Sequence, residues 1–152
     1  MMNTEFRFVT EENIEDAARI HADAWRQSHK DICSDEFVRA HTTERQKEYI
    51  REQIRQGRAF YLLSEGETKG IVSVYGNLIE NLYVAPQEQR KGYGTKLLRF
   101  AESICIGNPV LWILSSNRSA EMFYKARGYR FTGNRKELKN SLYELEMTHI
   151  IS

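Results

Sequence analysis

Residues Asn77–Phe100 read N-L-I-E-N-L-Y-V-A-P-Q-E-Q-R-K-G-Y-G-T-K-L-L-R-F. Leu78 to Val84 is rich in branched and aromatic residues and predicts a strand. Pro86 cannot donate to a ladder, so the strand ends near it. Gln89 to Gly94 (Q-R-K-G-Y-G) is a turn with two glycines. From Thr95 onward Leu97, Leu98, Ala101, Ile104 and Cys105 follow helical spacing. A helix opening on such a turn presents amides with no partner inside the helix, and its dipole adds positive potential. Gly92 and Gly94 let an anion come close to the backbone, and Arg90 and Lys91 add charge. A bare G-x-G is also compatible with an ordinary strand–helix connection. It is not a P-loop, because G-x-x-x-x-G-K-[ST] is absent, and Leu97 holds the third glycine position of a Rossmann fingerprint.

The wider pattern V-x-P-x-x-Q-x-x-G-x-G, from Val84 to Gly94, resembles the acetyl-CoA-binding signature of the GCN5-related N-acetyltransferases (GNAT). Its core, Q/R-x-x-G-x-G/A, is matched by Gln89, Gly92 and Gly94. A second stretch, N-R-S-A-E-M-F-Y-K-A-R-G-Y-R-F from Asn117 to Phe131, is similar to that family's N-x-x-A-x-x-x-Y-x-x-x-G-F. Asn117, Ala120, Tyr124 and Gly128 match, and Tyr129 stands where Phe is common. The resemblance implies one acyl-CoA N-acyltransferase domain over residues 1–152, with a mixed, mostly antiparallel α/β sheet and helices on both faces. It implies acetyl transfer from acetyl-CoA to a primary amine by direct attack, with no metal.

Working outward from this stretch, Glu5 to Val9 predicts a strand, and Thr10 a cap for a helix carrying Ile14, Ala17, Ala18, His21, Ala24 and Trp25 on one stripe. On spacing alone His21 is a packed or hydrogen-bonded core residue. Arg26 to His41 is the least regular segment. Thr43 and Gln46 form a capping-box pattern for a helix ending at Gly57. Ala59–Ser64 and Gly70–Tyr75 predict a hairpin about Gly66, and Gly76-Asn77 turns the chain into the strand already described. Val110 to Leu114 predicts a strand covered on both faces, Ser119 to Arg127 a helix, and Tyr129–Thr132 and Leu142–Thr148 the closing strands.

Glu80 shares the predicted strand face with Leu78, Leu82 and Val84. A carboxylate there needs a partner or a raised pKa, and a base of raised pKa suits amine acylation. A structural carboxylate bonded to a neighbouring Tyr or Arg satisfies the pattern equally, and a β-bulge would shift the face. Tyr124 is on spacing a core aromatic. The resemblance makes it the acid for the departing thiolate, beside Glu80 as base. The same resemblance implies cofactor contacts from the strand at Leu82, Tyr83 and Val84. Further contacts come from the turn residues Gln89, Arg90, Lys91, Gly92, Tyr93, Gly94 and Thr95, and from Asn117 and Tyr124. The strand is also expected to splay from its neighbour and offer free backbone groups. The resemblance places much of the acceptor wall on the first two helices and their loop, which makes Trp25, His29, Asp31 and Glu36 the candidates there.

The 152 residues suffice for one core, and 41% hydrophobic with 28% charged residues is ordinary for a soluble domain. With 22 basic and 21 acidic residues, no general drive exists toward nucleic acid or an anionic membrane. No apolar run spans a bilayer, no signal-peptide pattern is present, and Cys33 and Cys105 form no metal or redox motif, so the expected location is cytoplasmic. A small-molecule or peptide amine is the expected partner, with a homodimer possible. The alternatives are a non-catalytic acyl-CoA sensor of the same fold and a nucleotide-binding protein using the same turn.

Overall fold

A computed structural model describes residues 3–31, 33–138 and 141–150. Its elements are β1 (Glu5–Phe8), α1 (Ile14–His29), α2 (Asp35–Arg39), α3 (Thr43–Arg55), β2 (Ala59–Glu65), β3 (Glu67–Tyr75), β4 (Leu78–Val84), a 3₁₀ turn (Pro86–Glu88), α4 (Tyr93–Ile104), β5 (Val110–Leu114), α5 (Arg118–Ala126), β6 (Arg130–Glu137) and β7 (Tyr143–Thr148). The strands form one seven-stranded sheet in the order β1-β2-β3-β4-β5-β7-β6. Every neighbouring pair is antiparallel except β4–β5. That parallel pair is in register only at Leu78↔Val110, so beyond its first residue β4 runs apart from β5.

Alternation along the strands divides the core between the two faces. Val72, Val74 and Ile79 join Leu97, Leu98 and Ala101 of α4, with Leu111, Ile113 and Met147. Ile71, Phe60 and Leu62 join Ile14, Ala17, Ala18 and Ile20 of α1 and Ile50 of α3 on the other side. Gly70 lets α4 sit against the sheet. A Cβ there would stand 2.7 Å from Leu97 Cδ1 and 2.8 Å from the Tyr83 carbonyl.

Local details depart from the expectations in several places. The N-cap of α1 is Asn13, not Thr10. Thr10 instead forms a turn with it, its amide donating to Asn13 Oδ1 at 2.8 Å. The cap of α3 is Thr42, whose hydroxyl accepts from the Arg45 amide at 3.2 Å, so the Thr43/Gln46 capping box is out by one residue and Gln46 is buried. The segment Arg26–His41 holds the last turn of α1 and the short helix α2, capped by Ser34. Helix α4 begins at Tyr93, two residues before Thr95, because Gly92 at φ 90° serves as its cap.

A further change concerns Glu80. Ser73 pairs with Glu80, but Ile71 pairs with Tyr83. Two residues of β3 are therefore spanned by three of β4, which is a bulge. Asn81 occupies it with φ 54°. The bulge turns Glu80 and Tyr83 onto the α1/α3 side, while Leu82 and Val84 pack toward α4. Glu80 thus does not share its face with Leu82 and Val84. Among the described residues, no helix is long and apolar enough to cross a membrane.

Candidate active site

The departure of β4 from β5 opens the sheet, and two cavities lie beside the opening. The first, of about 670 Å³, runs from β4 over the glycine turn to α5. It is lined by Leu82, Tyr83, Val84, Gln89, Arg90, Gly92, Tyr93, Gly94, Thr95, Asn117 and Tyr124, all named above from the sequence. Lys91 alone of that set does not line it. Its ammonium turns to Glu88 at 3.1 Å.

Each part of this groove has a local cause. Gly92 sits at φ 90°, and nothing lies within 4 Å of where a Cβ would be, so the turn is open above it. The Lys96 amide makes the first bond of α4, to the Gly92 carbonyl at 3.2 Å. The Tyr93, Gly94 and Thr95 amides precede it and have no acceptor inside the helix. A Cβ on Gly94 would meet the Phe123 ring at 3.2 Å, so this glycine is fixed by packing against α5. Glu88 is pinned beneath the turn by Lys69 at 3.0 Å. The Lys69 bond, then that of Lys91, holds the Glu88 carboxyl below the usual range. Asn117 Oδ1 caps α5 by accepting from the Ala120 amide at 3.0 Å. Burial pushes the Tyr124 hydroxyl up to about 12, so it stays protonated. Arg127, which the motifs did not point to, stacks on Phe123 at 3.8 Å and donates to the Thr95 hydroxyl at 2.8 Å, placing a cation in the groove.

The second cavity, of about 730 Å³, lies on the α1/α3 side. Glu80 lines it and is one-third exposed, accepting from Arg58 Nε at 2.9 Å. Trp25, Phe37, Tyr49, Tyr83 and Trp112 supply rings, and Glu144 a second carboxylate. Tyr83 lines both cavities and is their shared wall. Burial raises its pKa, with the neighbouring Tyr49 the next cause.

Of the four acceptor-side candidates, Trp25 alone lines this cavity. His29 stacks on Trp25 at 3.9 Å while His41 stacks at 3.4 Å. Asp31 and Glu36 are exposed and do not line it.

A polar chain runs beneath the bulge. Asn81 Nδ2 donates to Ser73 Oγ at 3.0 Å, and Ser73 donates to the Glu80 carbonyl at 3.1 Å. Asn81 Oδ1 is therefore the acceptor for His21 Nε2 at 3.0 Å and the Tyr49 hydroxyl at 3.4 Å. His21 is 4% exposed, and its Nδ1 has no partner among the described residues. Burial, only partly opposed by the Asn81 bond, lowers its pKa from 6.5 to about 4. The sequence placed His21 in the core, but gave no sign of Asn81. Polar residues at a positive φ are visible only once the register is known.

The model of the acetyltransferase (GNAT) domain matches residues 22–148. The chain belongs to the GNAT acetyltransferase family. Among solved structures, this GNAT chain is similar to the PaiA N-acetyltransferase of Thermoplasma acidophilum, which is in complex with coenzyme A. The identity is 22% over 95% of this chain and 98% of that one, with a TM-score of 0.71. A GCN5-related N-acetyltransferase of Rhodopseudomonas palustris gives 22% identity over 99% and 98%, with a TM-score of 0.75. YncA of Salmonella typhimurium, solved with acetyl-CoA, gives 17% over 99% and 95%, with a TM-score of 0.69. At these identities the likeness is one of fold. No curated protein matches this GNAT chain.

Proposed function

We propose that this GNAT protein transfers an acetyl group from acetyl-CoA to a primary amine, with the cofactor in the first cavity and the acceptor in the second. The observation that carries this reading is the meeting of the two cavities at Tyr83, with Tyr124 in one and Glu80 in the other. The groove suits coenzyme A on its own terms: a helix start with unused amides, open space above Gly92 and the Arg127 guanidinium close by. Gln89 to Thr95 would receive the pyrophosphate, and Leu82 to Val84 with Asn117 would flank the pantetheine arm.

When bound, acetyl-CoA supplies the thioester whose acetyl group passes directly to the amine. The free β4 backbone beside the opening offers an amide to the carbonyl oxygen. One donor of this kind is worth about 3 kcal/mol in other acyl-transfer enzymes. Glu80 accepts the amine proton, directly or through water, and Arg58 holds its carboxylate in place. Tyr124 keeps its proton across the working range and donates to the departing sulfur.

The test is release of coenzyme A over a panel of amines, for wild type and Tyr124→Phe. Loss of this donor should lower kcat by about a hundredfold while acetyl-CoA affinity holds. Wild-type turnover by the variant removes Tyr124 from the reaction. Saturable acetyl-CoA binding with no turnover on any amine would instead favour a sensor.

A further inference from the structure

Charge in the second cavity is unevenly matched. Its charged lining is Arg45, Arg58, Lys136, Glu80 and Glu144. Arg58 and Glu80 neutralise each other at 2.9 Å. Glu144 faces Lys136 across the β6–β7 ladder, yet the Lys136 ammonium rests on the Trp112 ring at 4.1 Å rather than on that carboxylate. Arg45 donates to the Ala40 carbonyl at 3.3 Å and has no ion pair among the described residues. Whichever way Lys136 and Glu144 settle, one positive charge is left over. A ligand that is only a cation would add to that surplus, and a ligand that also carries an acid would not. Polyamines and simple alkylamines are therefore poorly matched to this wall.

Rings form much of the remaining lining, from Phe37, Tyr49, Tyr83 and Trp112, with the polar Gln46 and Asn81 beside them, and Phe37 is 48% exposed. With about 730 Å³ available, the cavity is of the size that takes a free small molecule. The cation–π contact holds the Lys136 ammonium at the wall without occupying it in an ion pair.

Resting on the acetyl-transfer reading, we propose that the acceptor is a zwitterion, an amine on an aromatic-sized apolar body that also carries a carboxylate or equivalent acid, and that Lys136 and Arg45 receive that acid. Lys136 and Arg45 are thereby the residues that set specificity. Their role is distinct from that of Glu80 and Tyr124, which handle the protons of the reaction.

Matched probes differing only in the acid test this directly: L-phenylalanine against phenethylamine, and L-tryptophan against tryptamine. Acetylation is followed by coenzyme A release, with acetyl-CoA binding measured separately by calorimetry. The carboxylated member of each pair should have the higher kcat/KM, by about tenfold or more. Lys136→Ala and Arg45→Ala should each bring that ratio toward one through KM, and Lys136→Arg should restore it. The proposal is overturned if the plain amines react as well, or if the variants leave the ratio intact. It is equally overturned if neither member of either pair reacts although acetyl-CoA binds. Absence of acetyl-CoA binding would instead bring down the transfer reading beneath it.

Discussion

His21 should make the stability of this protein fall with acidity in a defined window. Its imidazole is 4% exposed, and burial lowers its pKa from 6.5 to about 4. Because the folded-state value lies below the unfolded one, the unfolded chain takes up the proton first. The neutral-His21 contribution is therefore fully present above about pH 6.5 and is lost as pH falls toward about 4. A difference of about 2.5 units at 1.36 kcal/mol each corresponds to about 3 kcal/mol. That is a sizeable part of an ordinary domain's stability of roughly 5–15 kcal/mol. The assay is urea unfolding from pH 7.5 to pH 4 on wild type and on His21→Gln, which keeps a neutral donor toward Asn81 but cannot titrate. Carboxylates that titrate in both chains cancel in the difference. The difference should be flat above about pH 6.5 and then move against wild type by about 1.4 kcal/mol per pH unit. Parallel curves would refute the reasoning, as would an imidazole resonance of His21 titrating near 6.5.

Asn81→Ala removes the acceptor of His21 and Tyr49 and the donor to Ser73, at a residue with φ 54°. It should cost about 2 kcal/mol in chemical denaturation and lower acceptor turnover more than acetyl-CoA affinity. Gly70→Ala forces a Cβ within 2.8 Å of the Tyr83 carbonyl, where backbone cannot yield. A loss of about 1–3 kcal/mol is expected, readable as a lowered Tm.

The fold was legible where a pattern is local. The apolar run of Val110–Leu114 and the apolar spacing of Leu97, Leu98 and Ala101 are patterns within one element. Gly92 was legible as a turn because glycine readily holds a φ of 90°, whereas Gly94 falls in the first turn of α4, where its missing Cβ admits Phe123. What escaped was non-local. A bulge shifting the face of Glu80 was raised as an alternative, but its place at Asn81 follows from pairing with β3 rather than from the sequence of β4. Arg127 stands at an unspecified position of the second motif, and its place in the groove arises from its bond to Thr95 and its stacking on Phe123. The second cavity draws on α1, α2, α3, β4, β5, β6 and β7, so its lining could not be read from the loop after α1, where Asp31 and Glu36 had been expected to contribute.

The most direct measurement is a calorimetric titration of acetyl-CoA into wild type and into Gly92→Asp, with ATP as a control. Nothing lies within 4 Å of a Cβ at Gly92, so the substitution disturbs no packing there, although its φ of 90° adds a backbone cost of about 1–2 kcal/mol. Saturable binding of acetyl-CoA by wild type, sharply weakened in the folded variant and not reproduced by ATP, is the result the account predicts. No binding by wild type, or equal binding by Gly92→Asp, would contradict it.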